Sequence, residues 1–195
     1  MLRRHGFRIA ILTVGQVDRE ALNGIRNDLS RVFPQSFCYV SADILKVPRS
    51  AHNPSREQYL STKILSELLG YAEKRTDLAD TVYRVLGVTE VDLYVPGLNF
   101  VFGEAQCPGK VAVISVYRLM PEFYGEPSDG RLFLGRCVKE AVHEIGHTLG
   151  VRHCSNPSCV MHFSLHIGMT DGKGAQFCGR CRLLSERAIG ESQHS

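Results

Sequence analysis

Residues 143 to 153 read H-E-I-G-H-T-L-G-V-R-H, and this stretch constrains the chain more than any other. On a helix, His143 and His147 stand one turn apart on a common face, so their imidazoles can share one cation. Glu144 is turned about 100° from His143, which puts its carboxylate beside a metal's open position, the place of a general base. Gly150 can take a positive φ, stop the helix and bring His153 round as a third ligand. With 18 Gly and 8 His among 195 residues, both fall at those positions by chance about once in 260, so the extension adds weight to the motif. Three protein ligands leave a fourth position for water, as a catalytic zinc requires; bound there, water loses its proton near neutral pH to a nearby carboxylate.

The cysteines cluster just beyond. Of seven, Cys154, Cys159, Cys178 and Cys181 form C-x4-C and C-x2-C in the C-terminal quarter. An odd total with that packing fits metal ligation in a reducing compartment better than a disulfide framework, so an intracellular, cytoplasmic protein is expected. Cys38, Cys107 and Cys137 lie among apolar neighbours and read as small buried side chains.

The rest of the chain alternates. Phe7 to Val14 reads as a buried strand, Asp18 to Phe33 as an amphipathic helix capped by Asp18, and Ser36 to Ile44 as a second strand. After a Pro-, Ser- and Asn-rich loop, Glu57 to Lys74 has helical spacing, and a third strand lies within Thr81 to Tyr94. Leu98 to Gln106 and Lys110 to Leu119 read as a hairpin turning at Cys107, Pro108 and Gly109, and a helix follows from about Leu134 to Leu149. The expectation is an α/β (α+β) fold: a mixed twisted sheet whose one antiparallel edge strand is Leu98 to Gln106, packed on helices that include the active-site helix. The composition shift after Gly150 divides the chain into residues 1–150 and a small C-terminal subdomain, 151–195.

H-E-x-x-H-x-x-G-x-x-H is the metzincin pattern of zinc peptidases, and Met161, eight residues after His153, is the candidate methionine turn. The continuation "HCSNPSCVMHF" with "CGRC", and the upstream "DLYVPGLNFVFGEA", resemble the archaemetzincins, whose motif runs directly into a four-cysteine zinc site. The resemblance covers most of the chain. It implies a metzincin-like fold and a zinc metallopeptidase, endopeptidase or aminopeptidase-like, acting on a peptide or protein substrate through zinc-activated water with Glu144 as base. It also implies two zinc ions per chain, one catalytic at His143, His147 and His153, one structural at the four cysteines. An all-thiolate tetrahedral site has no position for water. Its ligands begin one residue after His153, so it would clamp the segment carrying His153 and Met161, and would supply folding energy to a subdomain with few large apolar side chains. Some metzincins add a tyrosine ligand after the methionine turn; here no tyrosine follows Tyr124 and Phe163 stands near that place, so no fifth protein ligand is expected. The substrate would lie along the edge strand with its scissile carbonyl over the zinc, which would itself stabilise the oxyanion.

Other features point away from other functions. A formal net charge of +3 without a run of like charges argues against nucleic acid. Lys173, Arg180, Arg182 and Arg187 read as a solvated face. The apolar start is short for a signal peptide and nothing reaches membrane-spanning length, so no membrane contact is expected; a monomer is the separate expectation for the assembly. His5, His52, His162, His166 and His194 lack ligand spacing. Two rivals are a catalytically silent zinc protein acting as an interaction module, which has no need of Glu144, and a zinc ribbon for nucleic acid.

Overall fold

The computed structural model describes residues 6–74 and 82–191. His5 and His194 lie outside them. The strand β1 (Phe7–Val14) is an almost unbroken apolar run, as a strand covered on both faces requires. It is an inner strand of a five-stranded sheet, with β2 (Ser36–Leu45) on one side and β5 (Val82–Thr89), β8 (Val111–Ser115) and β7 (Gly103–Ala105) on the other, in the order β2-β1-β5-β8-β7. All neighbours run parallel except β7, which pairs antiparallel with β8 at the edge. That is the expected mixed sheet with its single antiparallel edge strand.

Helices cover both faces. The helix α1 (Arg19–Val32) buries Leu22, Ile25 and Leu29, one stripe at helical spacing, and the Asp18 carboxylate accepts the Ala21 N–H at its start. On the same side of the sheet lies α3 (Gly130–Thr148), and the other side is covered by α2 (Ser61–Glu73). Alternate residues of β1 divide accordingly: Phe7, Ile9 and Ile11 pack with α1 and α3, Ala10, Leu12 and Val14 with α2. Two short helices end the chain, α4 (Ile167–Gly172) and α5 (Gly179–Glu191). The segment after Gly150 contributes Val160, Met161, Phe177 and Ile189 to the cluster that holds Phe7 and Phe33, with the Phe33 and Phe177 rings 5.7 Å apart, edge to face.

Four boundaries differ from the sequence reading. The second hairpin strand ends at Ser115, not Leu119, because Tyr117–Leu119 turns into a 3-10 helix. The second helix begins at Ser61, not Glu57: Glu57 takes a φ of 50°, and Gln58–Leu60 forms β4 of a small second sheet with β3 (His52–Asn53) and β6 (Leu93–Tyr94). The edge strand is shorter than Leu98 to Gln106. Residues before Phe102 leave the main sheet, Val101 bonding to Leu93 while Arg56 and Gln58 donate to the Leu98 and Asn99 carbonyls. The long helix starts at Gly130 because Asp129 caps it, accepting from the N–H groups of Arg131 and Leu132 at 2.9 Å.

Candidate metal centre and cleft

At its C-terminal end, α3 stops where Gly150 takes a φ of 81°. The turn lets Gly150 and Val151 donate to the His147 and Gly146 carbonyls, and it carries the chain back across the helix end. The Val151 carbonyl thereby comes within 2.8 Å of Nδ1 of His147, and the Val160 carbonyl lies 2.8 Å from Nδ1 of His143. A carbonyl only accepts, so each Nδ1 holds the proton and each Nε2 presents a lone pair. Those two Nε2 atoms face each other at 3.0 Å. Two acceptors aimed at each other repel unless a cation lies between them. Ligands at 2.0–2.1 Å in a tetrahedral site would stand ~3.3 Å apart. His153 completes the group, all three offering a nitrogen within 4.8 Å of one another. Burial pushes the pKa of His143 well below the ordinary imidazole value, and that of His147 down to about 4, so both rings stay neutral and able to bind metal.

Two glycines let the site close. A Cβ at Gly146 would stand 2.6 Å from the Met161 sulfur and 3.1 Å from the Phe177 ring, so a side chain there would displace the buried Met161 packed on this helix position. Gly103 on β7 is equally confined: its Cβ would lie 2.7 Å from Cγ of Glu144 and 2.7 Å from the Val113 carbonyl. The Glu144 carboxyl is therefore held against the edge strand, and burial raises its pKa well above the ordinary carboxylate value.

The four C-terminal thiols form a second group, with their sulfur atoms within 4.8 Å of one another and those of Cys154 and Cys178 at 3.9 Å. Sulfur ligands at 2.3 Å around a tetrahedral ion stand ~3.8 Å apart, so the spacing fits. Backbone N–H donation from Cys181 brings Cys178 down to about 7, whereas burial pushes Cys159 and Cys181 up. A cation would relieve the mutual repulsion of four thiolates. Cys154 N–H also donates to the Met161 carbonyl at 2.9 Å, and Nδ1 of His162 donates to the Cys154 carbonyl at 3.0 Å. The segment from His153 to His162 is thus a closed loop.

Lys173 is not on a solvated face; only Arg180, Arg182 and Arg187 of that group are exposed. Its ammonium is buried and lies 3.1 Å from the equally buried Glu140, which also accepts from the Thr170 hydroxyl. Nothing local marks this pair, since Glu140 lies on α3 and Lys173 just past the end of α4. Nearby, Arg136 makes a two-pronged pair with Asp171 at 2.8 and 2.7 Å, and Lys139 donates to the Thr170 and Asp171 carbonyls.

A cleft of about 660 Å³ opens over the histidines, walled by Phe100, Phe102 and Glu104 on one side and by Phe163 and Leu165 on the other. The Phe163 ring lies 4.8 Å from His153. Glu104 is engaged by the hydroxyls of Ser61 and Thr62. Cys38 and Cys137 are buried as expected, but Cys107 is exposed and lines this cleft, on a turn whose Gly109 N–H donates to the Thr148 carbonyl at the end of α3.

The sequence pattern of peptidase family M54 matches residues 27–187. The chain belongs to that family. This M54 chain is 44% identical over 183 residues to the archaemetzincin of Methanocaldococcus jannaschii, covering 93% of this chain and 95% of that protein. Its fold matches the crystal structure of archaemetzincin from Methanopyrus kandleri with a TM-score of 0.83 at 35% identity, over 97% and 98% of the two chains. It also matches that of a zinc-dependent peptidase from Methanocorpusculum labreanum, with a TM-score of 0.82 at 32% identity over 91% and 99%. The archaemetzincin resemblance of the sequence is thereby borne out. Among the described residues no helix is long and apolar enough to cross a membrane.

Proposed function

We propose that this chain is a zinc-dependent peptidase that hydrolyses peptide bonds, with His143, His147 and His153 as the zinc ligands and Glu144 as the general base. The observation that carries this reading is the pair of imidazoles whose Nδ1 protons are committed to carbonyls while their Nε2 atoms converge at 3.0 Å beside the Glu144 carboxyl. The M54 family and the zinc-dependent relative support it. Zinc at the histidines would supply a Lewis acid that polarises a carbonyl and makes water acidic.

The chain's own groups do the remaining work. Glu144 lies in the same cleft as the histidines, where it takes the proton of attacking water on its carboxylate and delivers it to the leaving amine. Its burial suits proton exchange, since a carboxyl withdrawn from water holds a proton more readily than an exposed one. Among the described residues the edge of β7 away from β8 has no strand partner, so an extended peptide adds there by main-chain hydrogen bonds and comes to lie over the histidines. Phe100, Phe102, Phe163 and Leu165 exclude water around it.

The four cysteines would hold a second, structural zinc that fixes Cys154 and, next to it, His153. In this division residues 1–150 carry two ligands and the base, and 151–195 the third ligand, the methionine turn and the thiolates. All seven cysteines are unpaired, in keeping with a reducing compartment such as the cytoplasm. The test is cleavage of a diverse peptide library read by mass spectrometry, comparing the wild type with a Glu144→Ala protein shown to hold the same zinc. Cleavage by the wild type alone is the expected result. Equal cleavage by both removes Glu144 from the mechanism, and silence from a fully zinc-loaded wild type sinks the peptidase reading for general substrates.

A further inference from the structure

The Glu140–Lys173 pair is unusual in its placement. The side chains are 4% and 0% exposed, so both charges have left water, an expensive arrangement that an apolar pair of the same size avoids. It is not needed to fasten α4 to α3, because Arg136 with Asp171, and Lys139 with two carbonyls of α4, already do so. What the pair does reach is the metal centre. Glu140 sits one turn before Glu144 and three residues before His143, and shares the cleft wall with both. From Glu140, the Lys173 ammonium also reaches the His162 carbonyl at 3.3 Å. His162 follows Met161 and is bonded through its ring to the Cys154 carbonyl, beside His153. One line of hydrogen bonds therefore runs from the helix that bears two histidines to the residue next to the third.

We propose that Lys173 is a positioning residue for the three-histidine centre, bridging Glu140 on α3 and the His162 carbonyl so that His153 is held at a fixed distance from His143 and His147. The inference rests on the metal reading of those histidines, but its test does not depend on peptidase activity. An apolar filler would keep the segments packed and leave their sliding free. A charge pair with directed hydrogen bonds fixes one register.

The test compares wild type, Glu140→Gln/Lys173→Met, in which neither buried charge remains and Thr170 keeps its acceptor, and Lys173→Arg. Each is loaded with zinc and followed by melting temperature, by the rate at which a chromogenic chelator strips zinc from the histidine site, and by kcat and KM on a cleaved peptide. The positioning role predicts that the double variant melts no lower than wild type, yet releases this zinc about ten-fold faster or more and loses kcat about ten-fold with KM little changed. Lys173→Arg, which keeps the cation, should recover part of both. Wild-type zinc release in a folded double variant overturns the proposal. Should that variant fail to fold, Glu140→Asp decides: it keeps the charge but draws it back by one methylene, and unchanged zinc release there overturns the proposal equally. A wild type that cleaves no peptide counts against the proposed function, and the zinc-release comparison still decides this inference.

Discussion

Replacing Gly103 by alanine adds one methyl group to the edge strand, and its consequence can be worked out from the contacts. The new Cβ would meet Cγ and Oε1 of Glu144 at 2.7 and 2.8 Å and the Val113 carbonyl at 2.7 Å, where ordinary contact begins at 3.4 Å. Something must retreat by ~0.7 Å. Val113 sits in the middle of β8, hydrogen-bonded into the sheet, so β7 or the Glu144 side chain moves instead. Overpacking of this kind costs ~1–3 kcal/mol. Alanine's lower conformational entropy in the unfolded chain returns ~0.5–1 kcal/mol. A net loss near ~1 kcal/mol lowers the melting temperature by about 2–4 °C in a chain of this size. If Glu144 is the base of the proposed mechanism, function should suffer more, because a shift approaching 1 Å at a proton-transfer group costs ~10- to 100-fold in kcat. Peptide cleavage at saturating substrate, with zinc content and thermal melting measured on the same samples, checks both numbers. A Gly103→Ala protein with wild-type kcat would refute the claim that the close approach of β7 sets the Glu144 carboxyl in place.

Further outcomes follow from the two ligand groups. Metal analysis of the wild type should give two zinc ions per chain, and His147→Ala one fewer; a wild type with one or none breaks the two-site reading. Cys178→Ser should lower the melting temperature by about 10 °C or more through loss of the thiolate-bound ion, and unchanged melting would remove its structural role. The metal-free protein should show opposed pH effects. Burial raises the Glu144 pKa, so that group favours folding at low pH and loses this contribution as pH rises through and above 4.5. Burial lowers His143 and His147, so the folded state resists their protonation, and stability falls as pH drops from 6.5 towards 4. In a metal-free Glu144→Gln protein only the histidine effect remains, and chemical denaturation should show stability falling steadily across that window by about 3 kcal/mol for His147 alone; a flat profile would contradict the buried, neutral state of the rings.

The local parts of this architecture were legible because their causes are local. Helical spacing put His143 and His147 on one face, and the glycine that turns the chain toward His153 does adopt a φ of 81°. The alternation of strands and helices yielded the main sheet and its antiparallel edge. What escaped depends on partners far along the chain. Glu57 to Lys74 has helical periodicity throughout, yet Gln58 is drawn into a strand by hydrogen bonds to Asp92 and to the Asn99 carbonyl. Lys173 reads as one more cation in a basic segment, and only the fold brings it to Glu140, 33 positions earlier on α3. Gly103 and Gly146 carry no motif of their own; their need for glycine comes from Glu144 and Met161 packing against them. Cys107 is exposed because it sits in the turn between β7 and β8, outside the strands that bury their apolar residues.

The ring contacts that join Phe7 to Phe33 and Phe33 to Phe177 bear on how the protein is made. The ribosome makes β1 before these partners, and the apolar cluster on one face of that strand is completed by side chains synthesised about 150 residues or more later, Val160, Met161, Phe177 and Ile189 among them. A nascent chain that has reached only Gly150 carries a formed motif helix and an uncovered apolar surface at once. Completion of this cluster therefore waits until residues 160–189 have been made, and a stalled chain ending at Gly150 should be far more readily cut by protease than the released protein. For the cell, a truncated product of this gene is a target for chaperones and proteolysis before it is ever a metal-binding protein.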